Sequence, residues 1–134
     1  EYGIISFSIT EESDVNNACQ KTWEAYTSSW QAETSDEKRA IFEESLDADC
    51  EYTDPLIKTK GWDELITYML SFHQQVPGGY FVTNYFSAHN NQSIAKWDMK
   101  NSEHQVIGEG ISYGKYNERG KLVVMTGFFE TSGV

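Results

Sequence analysis

The apolar periodicity of this chain changes once, at Pro77-Gly78-Gly79, and that change sets the order in which secondary structure can occur. Before it, apolar residues recur at helical spacing; after it, they alternate in runs bounded by Asn and Gly. From Asp14, whose side chain can cap a helix, Val15, Ala18, Cys19, Trp23, Tyr26 and Trp30 fall on one stripe. Thr34 and Glu37 have capping-box spacing ahead of Ile41, Phe42 and Leu46, which predicts a second, shorter helix. A short strand through Cys50 and Tyr52 runs to Asp54-Pro55, and Gly61 opens a third helix carrying Trp62, Leu65, Ile66, Met69, Phe72 and His73. The remainder reads as four strands, at 80–89, 93–100, 106–116 and 121–130, joined by Asn- or Gly-bearing turns as an antiparallel meander. Helices first and a meander after is an α+β order, with the helices on one face of a curved sheet. Residues 1–13 read as an extended N-terminal arm around Ile5, Phe7 and Ile9, and residues 14–134 as one domain.

The chain has 134 residues, a length suited to a single core. Twenty-one acidic residues against ten basic ones leave a net charge of -11, which would repel a phosphate backbone, so nucleic acid is not an expected partner. No apolar run is long enough for a membrane span. Cys19 and Cys50 lack Cys-x-x-Cys spacing and histidine neighbours; they read as buried thiols of a reducing, cytoplasmic compartment. His73, His89 and His104 sit on separate elements and form no metal signature. No dinucleotide, nucleophile-elbow or phosphate-loop motif occurs, so no cofactor is expected. Four tryptophans, eight tyrosines and seven phenylalanines are a heavy aromatic load, fit for lining a ligand cavity as well as a core.

Within Tyr52-Thr53-Asp54-Pro55 an isolated acid stands where a strand turns toward a helix. Such an acid can be aimed into a pocket as a base, or it can cap its own turn by accepting backbone N–H bonds. His73 has two readings as well: a cation or core histidine near a helix end, or a second acid/base group facing Asp54. Gly108, Gly110 and Gly114 share parity with Ser112, leaving one strand face nearly bare. That face either lets the strand bend and pack closely or makes floor space for a ligand.

Together, the aromatic first helix, the Ala48–Pro55 segment, the Gly61 helix start, the Ala95-Lys96-Trp97 strand and the 116–130 hairpin resemble the nuclear transport factor 2-like superfamily, in its SnoaL-like and ketosteroid isomerase branch. The resemblance covers about residues 14 to 130 and implies a cystatin-like cone: a strongly curved, mostly antiparallel sheet with three helices from the N-terminal half packed on its concave side. It implies that Asp54 corresponds to the isomerase base, Tyr26 to the tyrosine donor, and Ser112 to the second donor, where the isomerases carry a protonated aspartic acid. That strand also lacks the acid used by SnoaL-type cyclases. The same alignment points Trp30, Tyr68, His73, Ala95, Trp97, Met99, Gly110, Met125, Gly127 and Phe129 into the pocket, and it implies a homodimer. The leading expectation is a pocket protein for an apolar, ring-containing small molecule. It would act as a cofactor-independent isomerase or cyclase with Asp54 as base and Tyr26, Ser112 or His73 as donor. The alternative is a non-catalytic ligand-binding or dimerisation module of the same fold.

Overall fold

The structure, a computed structural model, describes the backbone of residues 2–131 and the side chains of residues 14–131. Its elements are α1 (Tyr2–Ser28), α2 (Ser35–Ser45), β1 (Leu46–Asp54), β2 (Ile57–Lys60), α3 (Gly61–Gln75), β3 (Tyr80–His89), β4 (Gln92–Lys100), β5 (Val106–Tyr116) and β6 (Leu122–Phe128). The three helices are those expected, with one correction. Residues 2–13 are not an extended arm but the first turns of α1. No proline or glycine lies between Ile4 and Ser28, so nothing stops the helix from running through Asp14, a cap residue with no break to cap. The expected capping box starts α2: Thr34 accepts from the Glu37 N–H at 3.1 Å, and Glu37 accepts from the Thr34 N–H at 3.1 Å.

The six strands form one sheet in the order β2-β1-β6-β5-β4-β3. All neighbours are antiparallel except β1 and β6, which run parallel. The β3–β4 turn is made by Asn90 and Asn91, at φ 49° and 59°, a left-handed pair that closes a tight hairpin. β2 was not anticipated; it pairs back on the end of β1 and frames Asp54. α1 lies against β3 and α3 against β1, and the core between helices and sheet contains Trp23, Phe42, Leu65, Met69, Leu122 and Met125, all nearly or fully buried. Among the described residues no helix is long and apolar enough to cross a membrane.

The bare face of β5 is filled from its neighbours. Trp97 lies opposite Gly110 and Met99 opposite Gly108, so β4 side chains cover the space that β5 leaves. A methyl group on Gly110 would overlap the Trp97 indole and stand 2.7 Å from the Phe128 carbonyl oxygen, a backbone atom that cannot swing aside. Gly110→Ala is therefore expected to destabilise the protein by about 1–3 kcal/mol and to displace Trp97. Urea unfolding, with tryptophan fluorescence for the indole, checks both. Close packing thus accounts for Gly108, Gly110 and Gly114, whose added methyl would meet Leu122, Ser93 and Trp23.

Candidate active site

Between the helices and the concave sheet face lies a cavity of about 450 Å³. Its walls are largely aromatic because Trp30 sits where four rings converge. Tyr52, Tyr68, Phe72 and Phe81 all have centroids 5.6–6.0 Å from it. Trp97 and Phe129 continue the wall toward the end of the sheet, 6.2 Å apart.

Asp54 ends β1 inside this wall. Tyr52 and Tyr68 both donate to Asp54 Oδ2 at 2.7 Å, and the Leu56 N–H donates to Oδ1 at 2.8 Å. Tyr52 reaches it because residues two apart on a strand share a face; Tyr68 comes across from α3. A carboxylate offers roughly four acceptor positions, so three donors leave about one open. Burial pushes both tyrosine hydroxyls up, and proximity to Asp54 pushes them further, so both stay phenols that donate.

Gly127 on β6 marks where the polar groups converge. The position its Cβ would take lies 3.6 Å from Asp54 Cβ, 3.7 Å from Ser112 Oγ and 3.7 Å from the Tyr52 hydroxyl. Tyr26 and Ser112 share one arrangement. Trp30 Nε1 donates to the Tyr26 hydroxyl at 3.1 Å, and Trp97 Nε1 donates to Ser112 Oγ at 2.9 Å. Each hydroxyl thereby accepts from an indole, and its own hydrogen has no acceptor among the described residues. Burial raises the Tyr26 pKa, with the Trp30 bond opposing in part, so it too is a phenol with a proton to give. Thr83, opposite Trp97 on β3, also lines the cavity, and its buried hydroxyl has no partner among the described residues.

No protein-family model matches this sequence, and no curated protein matches it. Solved structures do. An Agrobacterium tumefaciens protein assigned as an isomerase of the SnoaL-like family superposes with a TM-score of 0.78 at 19% identity, over 86% of this chain and 99% of its own. A Jannaschia protein assigned as a SnoaL-like polyketide cyclase gives 0.70 at 11%, over 87% and 88%. TerC, co-crystallised with polyporic acid, gives 0.69 at 10%, over 84% and 92%. The fold is nuclear transport factor 2-like.

In this nuclear transport factor 2-like cone, Asp54, Tyr26, Ser112, Trp30, Tyr68, Trp97, Met99, Gly127 and Phe129 line the cavity, whereas Gly110 lies covered by the Trp97 indole outside the lining. Met125 and Ala95 do not line it either. They have the right parity but sit deeper, fully buried in the core. His73 is also not part of the lining. Its Nε2 is 2.9 Å from Lys38 Nζ, which donates to the carbonyls of Ser29 at 2.8 Å and Ala32 at 2.6 Å just beyond α1. This fully buried lysine ties the end of α1 and the last turn of α3 to α2. Burial lowers the Lys38 pKa to about 8, and burial followed by the Lys38 charge lowers that of His73, with the Ala32 backbone and Glu33 opposing.

Because the unfolded chain takes up a proton at His73 before the folded chain does, this histidine's contribution is present above its ordinary pKa of 6.5 and is lost as pH falls from there through the lowered pKa of the folded state. The melting temperature of the native protein is expected to fall more steeply between about pH 7 and about pH 5 than that of His73→Gln, whose amide can still accept from Lys38. Equal slopes would contradict the assignment. The sequence reading missed Tyr52 as an Asp54 partner and Phe81 and Thr83 as lining. The shared parity of residues 52 and 54 was the available signal for the first.

Proposed function

We propose that the cavity binds a largely apolar, ring-containing small molecule and that Asp54 is the base of a cofactor-independent isomerisation or cyclisation. The observation that carries this is the convergence of Asp54, Ser112 and Tyr52 around Gly127 inside an aromatic wall. The SnoaL-like isomerase and cyclase assignments of proteins with this fold, and the polyporic acid bound by one of them, support it by analogy. The chemistry needs a C–H beside a carbonyl. Asp54 takes that proton at Oδ1 while Tyr52 and Tyr68 hold Oδ2 in place, and the electron pair moves onto the carbonyl oxygen. Tyr26 or Ser112, with its hydrogen uncommitted, donates to that oxygen. Return of the proton to a different carbon completes an isomerisation; attack of the enolate carbon on a second carbonyl in the same molecule forms the new C–C bond and an alkoxide, and passage of the Asp54 proton to that alkoxide completes a cyclisation.

The alternative is a binding module in which Asp54 only caps the β1–β2 turn, and the Leu56 N–H bond to Oδ1 favours it. Deuterium exchange separates the two. Cyclic ketones and enones in D2O should lose their α-proton NMR signal faster with the protein than in buffer. Binding of such rings without any acceleration would leave the module reading. The homodimer belongs to the same proposal, since the outer sheet face exposes Ile94, Ile111, Phe128 and Val82. Light scattering at micromolar concentration should give twice the chain mass, and a monomer would refute it. Free, buried Cys19 and Cys50 suit a reducing compartment such as the cytoplasm.

A further inference from the structure

Among the described residues four glycines lie within strands: Gly108, Gly110 and Gly114 on β5, and Gly127 on β6. Packing requires the first three, since a β-carbon on any of them would stand 3.0 Å or less from a neighbouring side chain. Gly127 is different. A β-carbon there would find its nearest neighbour at 3.6 Å, an ordinary contact, and the backbone is not left-handed. Alanine would therefore fit, and a strand favours alanine because glycine loses more conformational freedom on folding. Neither packing nor backbone geometry accounts for a bare position here, yet the cavity reaches it. A strand glycine of this kind marks a place where a ligand comes close to the backbone.

Ser112 pairs with Gly127 across the β5–β6 ladder, and Thr53 pairs with Thr126 where β1 runs beside β6, which brings Asp54 to the other side of Gly127. The position of the missing β-carbon is accordingly 3.6 Å from Asp54 Cβ and 3.7 Å from Ser112 Oγ. Three adjacent strands thus present a carboxylate, a bare position and a hydroxyl in a row. A single atom at that position would touch both neighbours, because roughly 3.5–4.0 Å is the contact separation of heavy atoms. The gap between Asp54 and Ser112 is therefore about one atom wide and floored by backbone. The edge of a flat ring can enter it, whereas a carbon that branches on both sides cannot. One wall of the gap offers the open acceptor position of Asp54, and the other the uncommitted hydrogen of Ser112.

We infer that Gly127 determines specificity: its missing side chain leaves a slot for the edge of a planar, unsaturated ring bearing an oxygen, as in an enol, a phenol or a conjugated ketone. The oxygen of such a ring lies in the ring plane, where Ser112 can donate to it, and the hydrogen at that edge faces Asp54. An enolate is flat at its reacting atoms, whereas the α-carbon of the ketone it comes from is tetrahedral. The slot fits the enolate better, and a fit that improves along the reaction lowers its barrier. This deepens the small-molecule reading of the cavity and rests on it.

Two neutral ring alcohols of equal carbon count, flat 2-naphthol and caged 1-adamantanol, test the inference by titration calorimetry on the native protein and on Gly127→Ala. The native protein should bind 2-naphthol more tightly, since only the flat ring enters the slot. In Gly127→Ala the added methyl fills the slot, so 2-naphthol is expected to bind at least about tenfold more weakly and 1-adamantanol within about twofold of native. The urea midpoint of the variant should equal or exceed that of the native protein. Exchange of the α-protons of 2-cyclohexenone should slow about 10²-fold, the effect of displacing a reacting atom from its base. A lower urea midpoint would make Gly127 a packing glycine like the other three, and 2-naphthol binding within about threefold of native would place the ligand away from the slot. Either result, or a native protein that binds 1-adamantanol as tightly as 2-naphthol, overturns the slot and leaves the apolar cavity standing. A native protein that binds neither alcohol and speeds no exchange removes the small-molecule reading itself, and this inference with it.

Discussion

Replacing Asp54 with asparagine is expected to slow α-proton exchange of a ring ketone about 10²- to 10⁴-fold, the span typical for loss of a positioned general base. The geometry predicts a second effect as well. Tyr52 and Tyr68 both donate to one oxygen of Asp54, and the Leu56 N–H donates to the other. An asparagine has one oxygen and one NH2 group for these three donors. In either orientation its NH2 faces a donor, and a buried mismatch of this kind costs about 1–3 kcal/mol. The variant should therefore melt earlier yet still bind a neutral ring probe. Those two measurements keep the loss of rate from being mistaken for loss of fold. If exchange persists within about threefold of the native rate, Asp54 is the turn cap and the chemistry, if any, lies elsewhere.

Trp30→Ala should be the most destabilising single change in the cavity wall, by about 3–5 kcal/mol in urea unfolding. Four aromatic neighbours lose their common partner at once. Trp30→Phe keeps most of that packing and removes only the N–H given to Tyr26, so it should cost closer to about 1 kcal/mol. The same logic applied to Trp97→Phe removes the N–H given to Ser112. The two phenylalanine variants together identify the donor: the one that lowers exchange while preserving ring binding names the hydroxyl that meets the developing oxyanion. Equal, negligible effects from both would exclude either hydroxyl from that role.

Much of the sheet was legible because its turns announce themselves. Asn90-Asn91 and Gly120 adopt the left-handed backbone that their residue types allow, so β3 and β5 end where the sequence places them. β2 was not legible, since four residues, Ile57–Lys60, are too few to display a period and only pairing with β1 makes them a strand. Parity named the inner face of β4 and β6 correctly, yet it says nothing of depth. Ala95 and Met125 share a face with Trp97 and Phe129 but lie where the cone has already closed. Lys38 was passed over because a lysine on a short helix reads as solvated. Only the convergence of the Ser29 and Ala32 carbonyls with His73 makes its complete burial tolerable. The Asp54 cluster was half legible. The acid stood out at the end of a strand, whereas Tyr68, fourteen residues away, joins it only through the packing of α3 on β1.

The parallel pairing of β1 with β6 joins segments that are made at very different times. Thr53 and Thr126, whose hydroxyls meet at 3.3 Å across that seam, lie 73 residues apart. During synthesis Asp54 and Tyr68 can meet as soon as α3 packs, but Gly127 and Phe129 reach them only when the final strand arrives, and contacts of such long range are the slow ones to form. Until β6 has paired, the cavity lacks the wall that Gly127 and Phe129 supply, and a molecule that needs that wall can bind only after the pairing. Ligand occupancy would then serve as a mark of that pairing, distinguishing mature chains from those still waiting for their closing strand.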